Sequence, residues 1–310
     1  MKNNNLKYAI LGASGYIGKY LSKTLLENGN YTEIYLICRE SSVEKYNQIF
    51  KKYTNNKLFI IAESSPKIPE IYASVDVLIN LASSRANETD EAIFNSILFQ
   101  YNQVKKIEKA HIPTVINISS QSVYNQKEDI RKKESDSVCI NNLYAYQKYA
   151  IEQYFNHIEY SETPNSIINL RFSRVFGLDF EKTNPEGFFI KIIESVLNNN
   201  KITIPNPLNK INLLDINDAV NAILYFISLS QQEIVRDTIN IGGENFSMLE
   251  YCELVKNTLS VSANPIKLSD SKLIETSSLI DCSLAKKYGW ENKITIKESI
   301  KVISDYFINN

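Results

Sequence analysis

The run "KYAILGASGYIG", Lys7 to Gly18, joins an apolar strand to a helix through three glycines, and few folds accommodate that junction. The strand covers residues 7–13, and Gly12-x-x-Gly15-x-x-Gly18 follows. Helical spacing then runs from Tyr16 to Asn28. Glycines at such a turn permit backbone conformations closed to other residues, close approach of a ligand to the main chain, and close helix–strand packing. The start of the helix offers N–H groups and a positive dipole end to an anion. This points to a dinucleotide pyrophosphate held by Gly12, Ser14, Gly15, Tyr16, Ile17 and Gly18. The alternative is a plain turn with Tyr16 and Ile17 in the core.

The rest of the first half supports the ligand-binding reading. Strand-like apolar runs recur at 33–39, 57–62, 75–82, 114–119 and 166–172, with amphipathic helices at 90–110 and 143–158 between them. Solid apolar strands alternating with helices predict a parallel sheet covered on both faces, an α/β Rossmann-type doubly wound fold. After Gly177 the texture changes. Prolines stand at 185, 205 and 207, helical patterns dominate, and Ser247-x-x-Glu250 and Thr295-x-x-Glu298 form capping boxes ahead of two helices. The expected division is a dinucleotide-binding domain at 1–176, also using parts of 212–242, and a smaller, mostly helical substrate-binding domain at 177–310.

Composition removes several classes of function. Net charge is −1 and the 34 basic residues are scattered, so no nucleic-acid or anionic-membrane partner is expected. No apolar stretch is long enough for a membrane span, and cytoplasmic placement is expected. The cysteines at 38, 139, 252 and 282 form no paired motif, and the only histidines are His111 and His157. Neither a metal site nor a disulfide framework is expected, and acid/base chemistry falls to Tyr, Lys or carboxylates.

Cofactor choice is read at the tip of the second strand, where a carboxylate would hold the ribose 2′-hydroxyl of NAD. The sequence there is "ICRE", with Cys38 at the acidic position and Arg39 next. Arg39 can pair with a 2′-phosphate, so NADP is the first expectation and NAD the second. In the alternative, Arg39 is solvated and Glu40 or another acid holds the ribose. Glu63, ending the third strand, is a candidate for the adenine.

Three Tyr-x-x-x-Lys pairs occur: Tyr53/Lys57, Tyr101/Lys105 and Tyr144/Lys148. With 19 Tyr and 28 Lys in 310 residues, chance alone supplies about two such pairs. Context has to choose between them.

That context is a resemblance to the extended short-chain dehydrogenase/reductase family, the NAD-dependent epimerases and dehydratases of nucleotide sugars. "LGASGYIG" resembles its glycine motif, and "DVLINLASS" (76–84) its fourth-strand motif, which implies Leu81, Ala82 and Ser83 at the cofactor and Ser84 at the substrate. Asn95 stands in the following helix where the family usually has one. "ISSQSVYN" (118–125) is similar to the serine motif and implies a catalytic Ser120; "YAYQK" matches the Tyr–Lys motif and implies Tyr144 and Lys148. "LRFSRVFG", "NLLDINDAV", "INIGGE" and "DCSLAKKYGW" resemble landmarks of the second half. By the same resemblance Arg85 is a candidate for the cofactor phosphates.

Departures from the family refine the expectation. The 4,6-dehydratases carry acids after the serine or threonine. Here Gln121 and Ser122 stand there and become substrate candidates, so water elimination is not expected. Arg174 replaces a usual Asn. Ile211 and Ser271 stand at usual arginine positions, so Arg174, Lys210 and Lys272 are left to hold a diphosphate.

A Lys148 ammonium and a nicotinamide cation favour the Tyr144 phenolate, so Tyr144 can exchange a proton with a sugar oxygen as hydride moves. Lys148 would also bond the nicotinamide ribose, and Ser120 would hold the reacting oxygen. The expected activity is NADP(H)-dependent 4-ketoreduction of a nucleotide-activated, deoxygenated sugar in surface polysaccharide synthesis. The rivals are an NAD-dependent 4-epimerase, a reductase of a small non-nucleotide carbonyl, and a non-catalytic dinucleotide-binding sensor or scaffold. A homodimer through the helices at 90–110 and 143–158 is expected.

Overall fold

The computed structural model describes residues 6–53, 57–158, 165–178, 187–261, 266–269 and 275–309. Strand and helix alternate through the first half: β1 (Leu6–Leu11), α1 (Tyr16–Asn28), β2 (Tyr31–Cys38), α2 (Val43–Ile49), β3 (Leu58–Ala62), α3 (Ile68–Ser74), β4 (Val77–Asn80), α4 (Asp90–Ala110), β5 (Thr114–Ser120), α5 (Leu143–Asn156) and β6 (Ser166–Phe172). There follow β7 (Arg174–Phe176), α6 (Phe188–Leu197), β8 (Ile202–Ile204), β9 (Lys210–Asp215), α7 (Ile216–Ser230), β10 (Arg236–Ile241), β11 (Glu244–Ser247), α8 (Met248–Leu259), β12 (Ile266–Leu268), α9 (Ser283–Lys287) and α10 (Ile296–Asn309).

A seven-stranded sheet runs in the order β10-β6-β5-β4-β1-β2-β3. The pairs β1–β2, β2–β3, β1–β4 and β4–β5 are parallel. β1 lies inside the sheet and its Ala9, Ile10 and Leu11 are buried, which is why it reads as a solid apolar run. Strand order reverses between β1 and β4, and in such sheets ligands bind beyond the strand ends at that point. One face packs against α3, α4 and α5: Leu11, Leu78, Val115 and Ile167 from the strands meet Tyr72, Val104, Ile107, Ile151 and Phe155. The Rossmann-type expectation is therefore met.

The chain forms two compact units. The first comprises residues 1–123, 140–171 and 220–239, and the second 124–139, 172–219 and 240–310. The second holds a three-stranded sheet, β11-β9-β7, and a β12–β8 pair. Its core gathers Phe176, Phe189, Ile192, Ile193, Tyr251, Val255 and Ile300. Both capping boxes form. Ser247 Oγ accepts from the Glu250 N–H at 3.1 Å while Glu250 accepts from the Ser247 N–H, and Thr295 and Glu298 repeat the exchange.

Two differences from the sequence reading bear on the site. The fourth strand ends at Asn80, so Leu81 and Ala82 lie beyond the sheet. The helix expected to reach residue 158 stops at Asn156. Among the described residues, no helix is long and apolar enough to cross a membrane.

Candidate active site

The glycine turn is shaped by steric necessity. Gly12 has φ +82°, and a Cβ on it would stand 2.7 Å from the Ala82 nitrogen and 3.0 Å from the Leu81 carbonyl carbon. A Cβ on Gly18 would stand 2.5 Å from the Ala13 oxygen, so that glycine lets α1 pack against the turn. The turn is tied down by N–H groups of Gly12 and Ala13 donating to Ile37 O at 3.0 and 3.1 Å. The buried Tyr46, from α2, donates its hydroxyl to Ala13 O at 2.9 Å. Gly15 is exposed and caps α1 with no side-chain acceptor over the first turn. A helix start left bare in this way fits a dinucleotide pyrophosphate, because the anion can reach the main chain there.

At the tip of β2, Cys38 is buried, and burial next to the Glu63 and Glu40 carboxylates pushes its thiol up to about 11. It is neutral at physiological pH. Arg39 is exposed beside it. Burial raises the Glu63 carboxyl above its ordinary value, against the opposing pull of Arg39. Glu40 accepts a hydrogen bond from Ser64 at 2.6 Å.

The exit from β4 forms one wall of the glycine turn. Leu81 N–H donates to Leu11 O at 2.9 Å, and Ala82 N–H to Asn80 Oδ1 at 3.3 Å. Ser84 N–H reaches Ser96 Oγ at 3.0 Å and Gln147 Oε1 at 3.4 Å, and its hydroxyl donates to Ala92 O at 3.0 Å. Ser83 and Arg85 are exposed, as is Asn95 on α4.

Ser120, Tyr144 and Lys148 all belong to the first unit. Ser120 ends β5. Its Oγ accepts from the Ser122 N–H at 3.2 Å and the Ser122 hydroxyl at 3.0 Å. With both lone pairs engaged, the Ser120 proton is left to donate outward. Asn142, two residues before Tyr144, caps α5 by accepting from Ala145 N–H at 2.8 Å. Lys148, one turn on, places its Nζ 6.0 Å from the Tyr144 ring centre and donates to Ile118 O at 2.8 Å. Burial pulls its ammonium down to about 8, against the opposing carboxylate of Glu152. Glu152 is itself buried and paired two-pronged with Arg171 of β6, at 2.9 and 2.7 Å. Gln121 Oε1 is buried and has no hydrogen-bond partner among the described residues.

The other candidate pairs occupy different settings. Tyr53 donates to Glu27, and Tyr101 lies partly exposed against the Tyr154 ring. Arg174 and Lys210 belong to the second unit. There the Arg174 guanidinium lies 5.3 Å over the Phe189 ring, and Lys210 Nζ pairs with Asp129 at 2.6 Å. Ser271 and Lys272 fall outside the described residues. Among the described residues, no group of His, Cys, Asp and Glu could hold a metal.

Several residues that hold this site have no counterpart in the sequence reading: Tyr46, Asn80, Gln147 and the Glu152–Arg171 pair. A signal existed for two of them. Tyr144, Lys148, Glu152 and Asn156 recur every four residues and so share one helix face. Asn80 ends an apolar strand, where asparagine is disfavoured without a specific partner.

Residues 8–242 match the model of the NAD dependent epimerase/dehydratase family. An uncharacterized protein of Methanocaldococcus jannaschii is 25% identical, over 100% of this chain and 98% of its own length. Among solved structures, UDP-glucuronic acid 4-epimerase from Bacillus cereus, in complex with UDP-glucuronic acid and NAD, superposes with TM-score 0.79 at 20% identity over 98% of this chain and 99% of that one. The dTDP-glucose 4,6-dehydratase from Bacillus anthracis, in complex with NAD, gives TM-score 0.80 at 17% identity over 98% and 97% of the two chains.

Proposed function

This chain belongs to the NAD dependent epimerase/dehydratase family, and from that premise we propose that it is an NADP(H)-dependent 4-ketoreductase of a nucleotide-activated, deoxygenated sugar, serving surface polysaccharide synthesis. The first unit holds the dinucleotide through Gly12, Ser14, Gly15, Tyr16, Ile17 and Gly18, with Leu81, Ala82 and Ser83 beside the nicotinamide end and Arg85 at the phosphates. The bound nicotinamide supplies or accepts the hydride. Tyr144 moves the matching proton at the sugar oxygen. Lys148 holds positive charge near the phenol and bonds the nicotinamide ribose. Ser120 donates to the reacting oxygen, as its two accepted hydrogen bonds favour. Ser84, Gln121 and Ser122 approach the sugar.

The observation carrying the reductive reading is the β2 tip. An exposed Arg39 stands beside a buried, neutral Cys38, with no carboxylate at position 38 to repel a 2′-phosphate. Gln121 and Ser122, in place of the acids of the dehydratases, point away from water elimination. The second reading, a 4-epimerase that retains NAD, is favoured by the likeness to the Bacillus cereus 4-epimerase bound to NAD. The dinucleotide released from purified protein, identified by mass, separates them. Exchangeable NADP, with stoichiometric NADPH oxidation by a 4-keto sugar nucleotide, supports the reductase; retained NAD and no net oxidation overturn it.

A second copy of the chain is proposed to cover the exposed Phe94, Leu98, Tyr101, Tyr146 and Tyr154 of α4 and α5. Sedimentation should give a dimer, and Phe94→Glu should shift it to monomer. A wild-type chain that sediments only as monomer excludes this pairing.

A further inference from the structure

The adjacent strands β4, β5 and β6 each carry an Ile-Asn step: Ile79-Asn80, Ile116-Asn117 and Ile168-Asn169. Each asparagine is buried, at 2%, 2% and 0% exposure. They lie on the face covered by α4 and α5, two residues beyond the apolar rung of Leu78, Val115 and Ile167. Leucine or valine would continue that rung, whereas a buried amide is costly unless its bonds are made.

Here they are made, all in one direction. Asn80 Nδ2 donates to Asn117 Oδ1 at 2.9 Å, and Asn117 Nδ2 to Asn169 Oδ1 at 2.7 Å. Asn169 Nδ2 donates to Asn156 Oδ1 at 2.7 Å, on the last residue of α5. At the other end Asn80 Oδ1 accepts the Ala82 N–H. The chain therefore runs from the C-terminal end of the Tyr144 and Lys148 helix, across three strands, to the backbone that walls the glycine turn. Each amide that accepts also donates onward, so the links polarise one another in the same sense. Asn80 Oδ1, at the acceptor end, is strengthened as the partner of Ala82.

We propose that Asn80, Asn117 and Asn169 are positioning residues for the dinucleotide. Their amide chain fixes the Leu81–Ala82 backbone, which approaches Gly12 so closely that no Cβ fits between them. Removing a link frees Ala82, and the wall of the cofactor site loosens although no group touching the cofactor is lost. The inference rests on the dinucleotide reading of that turn.

The test measures the Kd of NADPH and of NADH by fluorescence titration, at a temperature where circular dichroism shows each variant folded. Asn117→Leu leaves Asn80 without an acceptor and Asn169 without a donor, and should weaken the preferred dinucleotide about tenfold or more, equivalent to about 1.4 kcal/mol. Asn156→Ala, at the exposed end, should weaken it about two- to threefold. Ile300→Ala, in the core of the second unit, serves as a variant that lowers stability without touching the chain, and should leave the Kd within twofold. An unchanged Kd in folded Asn117→Leu, whatever its Tm, overturns the inference. Should that variant not fold, an unchanged Kd in Asn156→Ala overturns it instead. A weakening by Ile300→Ala equal to that of Asn117→Leu also overturns it, since general loosening would then suffice. A wild-type protein that binds neither dinucleotide refutes the reading on which the inference rests, a result distinct from all of these.

Discussion

The glycine turn after β1 and the polar face of α5 are built on opposite principles. The turn is defined by atoms that are missing: Gly12 and Gly18 leave space that neighbouring backbone fills to within 2.7 and 2.5 Å of an added Cβ. The α5 face is defined by atoms that are present and costly, a buried lysine, a buried glutamate and a buried glutamine. Substitution in the turn acts by collision, and substitution on the helix acts by removing chemistry or leaving a charge unmatched. The two regions should therefore fail differently: the turn loses binding and stability together, while the helix can lose activity and gain stability.

The largest test of that contrast is Tyr144→Phe. Loss of the proton-transfer group should cost about 10³-fold or more in turnover, with dinucleotide Kd and Tm little changed. Retained turnover would show that Tyr144 is not the proton-transfer group. Gly12→Ala should act in the opposite way, lowering stability by about 3 kcal/mol through positive φ and backbone overlap, and abolishing dinucleotide binding. Urea titration and fluorescence binding measure the two effects, and a stable, binding-competent alanine variant would break the comparison.

Lys148→Met sharpens it. The buried ammonium falls to about 8 from 10.5, so the unfolded chain holds that proton more tightly than the folded one. Folding therefore carries its full cost below pH 8, and the cost fades as pH rises from 8 to 10.5. At pH 7 the methionine variant should be more stable by about 1–3 kcal/mol yet inactive. The gap in Tm between variant and wild type should close across that alkaline window, and a constant gap would contradict the assignment. The smallest effect belongs to Tyr46→Phe. Removing the hydroxyl bound to Ala13 O should cost about 1–2 kcal/mol and weaken the dinucleotide a few-fold, without altering turnover at saturation.

The same contrast explains what the sequence made legible. Gly12, Gly15 and Gly18 announce themselves because a turn without side chains leaves its signature in consecutive residues. The capping boxes at Ser247 and Thr295 are legible for the same reason, since both partners sit within four residues. Ser120 and Tyr144 could be paired only through a resemblance, because 24 residues separate them. Tyr46 was invisible: its partner Ala13 is 33 residues away. Each of Asn80, Asn117 and Asn169 alone looks like a polar interruption in an apolar strand. Only the register that sets Asn80 opposite Asn117 turns them into one structure. The ends of β4 and α5 were also missed, because packing sets where the backbone leaves the sheet or helix.

The sheet order has a consequence for how the protein is made. β10, residues 236–241, lies beside β6 at the sheet margin, yet the chain reaches it only after α6 to α7 have been laid down. A ribosome that has produced everything through Phe176 has made six of the seven strands and left β6 with an open flank. A fragment cut at that natural-looking boundary would offer that flank to any passing strand. A workable minimal dinucleotide-binding fragment would have to graft residues 236–241 back onto β6. During synthesis, protection of that flank waits for most of the chain.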